Sequence, residues 1–183
     1  APDHGFDPAR VVVSGDSAGG HLALAAALLP ASAGFDRGCT VPYPTGANSW
    51  AALPEWNVVP AAVVNWYGIT DVADMLSGPG GRGYAVEWLG SGADREALAR
   101  TLSPLTHVRA GVPPVITIHG DADPVVPYAH GARLHEALGR AGVANQLVTI
   151  KGGQHGRFTP AEMDAAYAAI SSFTKTHLGV DGP

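Results

Sequence analysis

Hydrophobic positions along the chain fall into two alternating patterns. Residues 10–15, 61–67, 115–119 and 145–151 are short, β-branched and apolar runs, each bounded by Gly or Pro. That length and punctuation predict strands. Between them the apolar positions take helical spacing. An Ala- and Leu-rich helix is expected over 18–29 and stops at Pro30. Short helices are expected around 71–77, 82–89 and 93–101, and a longer one over 128–141 ends at Gly142. The last helix opens with Thr159 as cap and Pro160 in its first turn, and runs to about Leu178. The strands read as continuous apolar runs separated by helices. The predicted fold class is therefore α/β, a four-stranded parallel sheet with helices on both faces and right-handed crossovers.

Residues 31–57 interrupt this regularity, being rich in Gly, Pro and polar residues with Tyr43, Trp50 and Trp56 interspersed. A loop of this length in a compact domain is usually functional, and it is read here as a cap or pocket wall. The whole of 1–183 is read as one domain. Composition narrows the class of partner. The chain is 46% apolar and 15% charged with no membrane-length apolar run, which predicts a soluble globular domain. Its net charge is −5 with Lys and Arg scattered, which argues against a nucleic-acid or anionic-membrane surface. Cys39 stands alone, excluding an internal disulfide framework and a Cys-based zinc cluster. The compartment, cytoplasmic or secreted, is left open.

In open parallel sheets reactive groups gather at the carboxyl ends of the strands, and the candidate chemistry lies there. The first strand runs into Gly15-Asp16-Ser17-Ala18-Gly19-Gly20-His21 and then a helix. Strand, G-x-S-x-G and helix form the sequence pattern of a nucleophile elbow. Gly15 and Gly19 are expected to leave room for a sharp turn that holds the Ser17 hydroxyl at the positive end of the helix. A serine hydroxyl needs a base oriented by an acid. The third strand ends in His119-Gly120-Asp121-Ala122-Asp123-Pro124-Val125-Val126-Pro127, and the fourth in Gly152-Gly153-Gln154-His155-Gly156. Ser17, Asp123 and His155 thus follow the chain order Ser, Asp, His. Asp121 and Asp71 are rival acids, Asp71 being preferred as a turn-stabilising residue. Asp16 is expected to orient the elbow and, with Tyr67, to face the substrate; His21 and His119 are read as packed or hydrogen-bonding residues. His119, Asp121, Asp123 and His155 could alternatively form a nitrogen–oxygen metal cluster, but the triad reading already employs Asp123 and His155.

Residues 15–24 (G-D-S-A-G-G-H-L-A-L), together with Tyr67-Gly68-Ile69-Thr70-Asp71 and the two loops just quoted, resemble an α/β-hydrolase esterase. The similarity is greatest to the group containing hormone-sensitive-lipase-type carboxylesterases and feruloyl or acetyl-xylan esterase-like hydrolases, and spans residues 5 to 178. The resemblance implies Ser17 as nucleophile, Asp123 as acid, His155 as base, and the Ala18 N–H as one oxyanion donor. It implies a small acyl, acetyl or aromatic ester as substrate, an acyl-enzyme on Ser17, and no metal or organic cofactor; peptidase or amidase activity is the alternative on the same residues. One departure matters. Such enzymes carry roughly four further strands before the elbow, and a loop among them bears an H-G-G-G-type motif that supplies the second oxyanion donor. No such motif occurs here. The expectation is a C-terminal half-domain, with the edge of its first strand, residues 11–14, covered by a missing N-terminal half or a second chain. A catalytically incomplete assembly partner is the non-enzyme alternative.

Overall fold

The computed structural model describes residues 4–34 and 59–179. Its four strands are β1 (Val12–Asp16), β2 (Ala62–Trp66), β3 (Val115–Gly120) and β4 (Asn145–Ile150). They form one parallel sheet in the order β1-β2-β3-β4, with Val13 opposite Val63, Val63 opposite Val115, and Val115 opposite Asn145. The helices are α1 (Ala18–Leu28), α2 (Gly83–Leu89), α3 (Arg95–Leu102), α4 (Ala129–Arg140) and α5 (Pro160–Leu178). None of them is long and apolar enough to cross a membrane. The expected helix over 71–77 is only a 3-10 turn, Asp74–Leu76. The Asp71 carboxylate accepts the Asp74 N–H at 3.1 Å and fixes a turn there, and Ser77 then takes extended backbone before a separate 3-10 turn, Gly78–Gly80.

Successive strand residues face opposite sides of the sheet, and this alternation divides the core in two. Val63 and Val115 pack with Leu24 and Leu28 of α1 and Leu134 and Leu138 of α4. Val64, Ile116, Ile118 and Ile150 pack with Ala166 and Phe173 of α5 on the other face. Burying each of these larger side chains contributes about 1.5–3 kcal/mol. The two middle strands are buried almost throughout, as continuous apolar runs require. The outer strands differ: Ser14 and Asp16 of β1 and Gln146 and Thr149 of β4 are exposed, so these are half-covered edges. Among the described residues no strand pairs with the outer edge of β1.

Close backbone approaches lock α1 to the sheet. A Cβ at Gly15 would lie 2.2 Å from the Gly19 carbonyl oxygen, and one at Gly20 would lie 2.5 Å from Asn65 Oδ1. Asn65, fully buried, donates to Thr117 Oγ1 at 3.1 Å and accepts the Gly68 N–H at 3.0 Å, closing the end of β2. The expectation that Gly15 and Gly19 both make room for the turn is therefore corrected. Among the described residues a Cβ at Gly19 meets nothing nearer than Asp16 Oδ1 at 3.8 Å, and the steric demand falls on Gly15 and Gly20.

A second tie joins the loop after β2 to α4. His130 is fully buried, and its Nδ1 accepts the N–H groups of Thr70 at 3.1 Å and Asp71 at 3.3 Å. Its carbonyl accepts the Thr70 hydroxyl at 2.9 Å. The proton of the neutral ring therefore sits on Nε2, which faces Asp74 Oδ2 at 3.6 Å. Burial, reinforced by the nearby Arg133, lowers the His130 pKa to about 4.

Two predictions concern stability. Gly15→Ala should cost about 3 kcal/mol or more, because backbone and not a flexible side chain must yield, whereas Gly19→Ala should stay within about 1 kcal/mol of the parent; urea unfolding midpoints measure both. For His130, the unfolded ring takes a proton near pH 6.5 while the folded ring resists it to about pH 4. Its contribution is complete above the unfolded pKa and is lost as pH falls from there towards 4. Thermal melts from pH 7 to pH 4 should decline steadily. His130→Gln should flatten that decline without abolishing it, since burial also lowers the pKa of His21 and His135.

Candidate active site

Ser17 joins β1 to α1 with φ +52° and ψ −117°, a conformation costly for any residue with a Cβ. Two backbone bonds hold it there: the Ser17 N–H donates to the Trp66 carbonyl at 2.9 Å, and the Ser17 carbonyl accepts the His21 N–H at 3.1 Å. Serine at a helix N-cap ordinarily bonds the first-turn N–H groups through its side chain. Ser17 makes no such bond, and its Oγ instead lies 2.8 Å from His155 Nε2. Ala18 follows as the first residue of α1, where backbone N–H groups lack intrahelical acceptors and the helix end is positive.

His155 Nδ1 lies 2.7 Å from Asp123 Oδ2. With Nδ1–H donating to the carboxylate, Nε2 is free to accept the Ser17 hydroxyl proton. The Asp123 side chain is fully buried and its other oxygen accepts the N–H groups of Val125 at 2.8 Å and Val126 at 2.9 Å. Burial works to raise its pKa. The hydrogen bonds of His119, His155, Val126 and Val125 outweigh that effect and hold the carboxyl at about 2. His119, fully buried at the end of β3, lies with Nε2 3.0 Å from the Val126 carbonyl and 3.5 Å from Asp123 Oδ2.

The rival assignments separate cleanly. Asp121 accepts the Gly152 N–H at 2.6 Å and ties the third strand's loop to the fourth's. Asp71 pairs with Arg133 at 3.2 Å besides stabilising its turn. His21 is buried and its Nδ1 contacts the Ile69 carbonyl at 3.0 Å, so its role is packing and hydrogen bonding. Asp16, at the exposed end of β1, borders a cavity of about 300 Å³ with Tyr67, Gly156 and Phe158. Tyr67 adopts φ +38° and sets its ring edge-on to His155, with centroids 4.7 Å apart. Burial raises its phenol pKa, with Asp16 and Asp123 adding to the shift. Among the described residues no three His, Cys, Asp or Glu side chains converge as a metal site, so the alternative cluster of His119, Asp121, Asp123 and His155 does not assemble. Tyr43, Trp50, Trp56 and nearly all of the expected 31–57 pocket wall lie outside the described residues.

Two residues near the serine were not singled out in the sequence. Tyr84 and Trp88 of α2 line a second cavity, about 320 Å³, with Ala18, His21, Leu22 and Ile69. Their i, i+4 spacing is a signal that one helix face carries both aromatic rings, although spacing alone does not tell which cavity that face meets.

The BD-FAE family model matches residues 1–138, a span containing Ser17 and Asp123. The chain is 31% identical over 150 residues to Esterase LipQ of Mycobacterium tuberculosis, covering 78% of this chain and 31% of that protein. Esterase 2 of Thermogutta terrifontis phosphoramylated by tabun superposes with a TM-score of 0.70 at 27% identity, over 98% of this chain and 59% of that one. A puromycin-hydrolyzing peptidase of Mycobacterium tuberculosis gives a TM-score of 0.72 at 25% identity, over 98% of this chain and 24% of that one. The chain therefore spans less than two thirds of the length of each of these relatives. Its parallel sheet and flanking helices are those of α/β-hydrolase esterases, and the chain belongs to the BD-FAE family.

Proposed function

We propose that this chain carries the nucleophile, base and acid of a serine carboxylesterase that cleaves small esters through an acyl-enzyme on Ser17. The observation that carries the reading is the unbroken relay from Ser17 Oγ to His155 Nε2 at 2.8 Å and from His155 Nδ1 to Asp123 Oδ2 at 2.7 Å. As Ser17 attacks the ester carbonyl, His155 takes the hydroxyl proton, and the buried Asp123 carboxylate stabilises the imidazolium and holds its orientation. The Ala18 N–H, at the positive end of α1, binds the developing oxyanion. The proton then passes from His155 to the departing alkoxide, and water cleaves the acyl-enzyme by the same relay. Asp16 and Tyr67 border the substrate. The names of the relatives, two esterases among them, favour ester over amide cleavage.

The second oxyanion donor belongs to the same proposal. β1 has one unpaired edge among the described residues, and the structural relatives extend well beyond the portion this chain matches. We take a strand outside the 183 residues to pair with that edge and its loop to complete the oxyanion hole.

Hydrolysis of p-nitrophenyl acetate, with the corresponding anilide as the amide control, tests the reaction. Ser17→Ala and His155→Ala should each lower kcat by about 10⁴-fold or more while the circular dichroism spectrum is kept; undiminished turnover in Ser17→Ala would sink the mechanism. For the second donor, this chain alone should turn over about 10²–10³-fold more slowly than the same chain preceded by its upstream coding sequence. Equal rates from the two would mean that these 183 residues supply both donors.

A further inference from the structure

Two cavities flank Ser17, and the chemistry of ester cleavage assigns them different halves of a substrate; the inference rests on the serine-esterase reading above. The departing alkoxide must receive its proton from His155, so the alcohol lies on the His155 side. That side is the cavity bordered by Asp16, Tyr67 and Gly156, the Tyr67 ring standing against the imidazole. With the carbonyl oxygen on the Ala18 N–H and the alcohol toward His155, the third substituent of the carbonyl carbon, the acyl chain, is left to run away from His155. There it meets the other cavity, between α1 and α2, lined by Ala18, His21, Leu22, Ile69, Tyr84 and Trp88.

This cavity has the character of a binding site for an uncharged, apolar chain. None of its lining residues is an acid, Lys or Arg. Of its polar atoms, His21 Nδ1 lies 3.0 Å from the Ile69 carbonyl and the Tyr84 hydroxyl donates to the Val125 carbonyl at 3.3 Å. The Trp88 indole stands edge-on to the His21 ring at a centroid distance of 5.8 Å, which fixes the wall. Leu22 is nonetheless 66% exposed and Trp88 56% exposed. Large apolar side chains gathered at an open cavity beside a reactive group mark a surface that gains by being covered. At about 320 Å³, the space is about twice that of a cavity enclosing benzene, near 150 Å³. Acetyl would leave most of it empty.

We infer that the α1–α2 cavity is the acyl-binding pocket, that it selects esters of unbranched aliphatic acids from butyryl to octanoyl over acetyl esters, and that Leu22 and Trp88 determine that selectivity.

Reaction with ethyl p-nitrophenyl alkylphosphonates, the alkyl group on phosphorus standing for the acyl chain, provides the test. A Ser17 Oγ–P bond forms, the P–O bond to p-nitrophenolate breaks, and the serine proton passes to His155, so p-nitrophenolate release gives the second-order rate on the 183-residue chain. The rate should rise up to about fourfold for each methylene that enters the pocket, from methyl to hexyl. Leu22→Trp, which fills the cavity, and Trp88→Ala, which removes its wall, should each lower the hexyl-to-methyl rate ratio by about tenfold or more. Both positions are mostly exposed, and near-unchanged circular dichroism would establish that the variants are folded. An unchanged ratio in both variants overturns the inference. So does a change that appears only when the alkoxy chain is lengthened at constant methyl, which would make the cavity an alcohol site. Failure of every reagent to label Ser17 in the parent would instead refute the esterase reading beneath it.

Discussion

The site rests on one local exchange at Ser17. A serine at a helix N-cap normally satisfies a first-turn N–H with its own side chain, a contribution of about 1 kcal/mol. Here the backbone is held at φ +52°, the capping bond is absent, and the hydroxyl is delivered to His155. The conformation itself costs on the order of 1–3 kcal/mol. What over-determines it is packing: the Gly15 and Gly19 backbones in contact, Gly20 seated on Asn65, and Leu24 and Leu28 of α1 buried against Val63 and Val115. The helix is pinned by its far turns, and its first turn is left without the serine cap. Loosening α1 would therefore cost the serine its direction before it cost the domain its fold.

The other end of the relay obeys a complementary rule. A carboxylate with a fully buried side chain is costly unless its oxygens are bonded. Asp123 meets this condition with two backbone donors on one oxygen and His155 on the other. His119 stands behind it, 3.5 Å away, with its own bond to the Val126 carbonyl. The loop that follows β3 thus coils around its aspartate, and Asp121 fastens that loop to the one bearing His155. Two aspartates separated by one residue do different work because one points into the protein and the other across to Gly152.

Much of this was legible in the residues, for identifiable reasons. β2 and β3 are buried on both faces, so they had to be written as uninterrupted apolar runs, and the loops after β1, β3 and β4 carry the serine, aspartate and histidine at the strand ends where a parallel sheet collects them. The edges were harder to read, because Asn145, Gln146 and Thr149 alternate with Leu147 and Val148 and make β4 half-polar. The turn at 74–76 was read as part of a longer helix since the Asp71 side chain that fixes its start acts through a hydrogen bond, which periodicity does not register. The division of labour among Gly15, Gly19 and Gly20 depends on where Asn65 and Gly68 lie, and those neighbours are brought there by the sheet. His130, with no motif around it, is the acceptor for two N–H groups about sixty residues away, and sequence spacing carries no trace of such a tie.

The parts of the site divide according to what each strand can deliver. The serine, the acid and the base leave the carboxyl ends of β1, β3 and β4, and the short bonds between them need no element outside the described residues. In the proposed mechanism, proton transfer is thus a property of this sheet alone. The proposed oxyanion binding is not confined in the same way, because the Ala18 N–H lies at the margin of the sheet, on the helix that follows its outermost strand. A second donor approaching the same oxygen from beyond β1 would also pair with the exposed edge at Val12–Asp16 and give Ser14 and Asp16 a neighbour. Covering an edge strand and completing an oxyanion hole would then be one structural event, and nucleophile activation and charge stabilisation would become separable along the sheet, with β1 as the boundary.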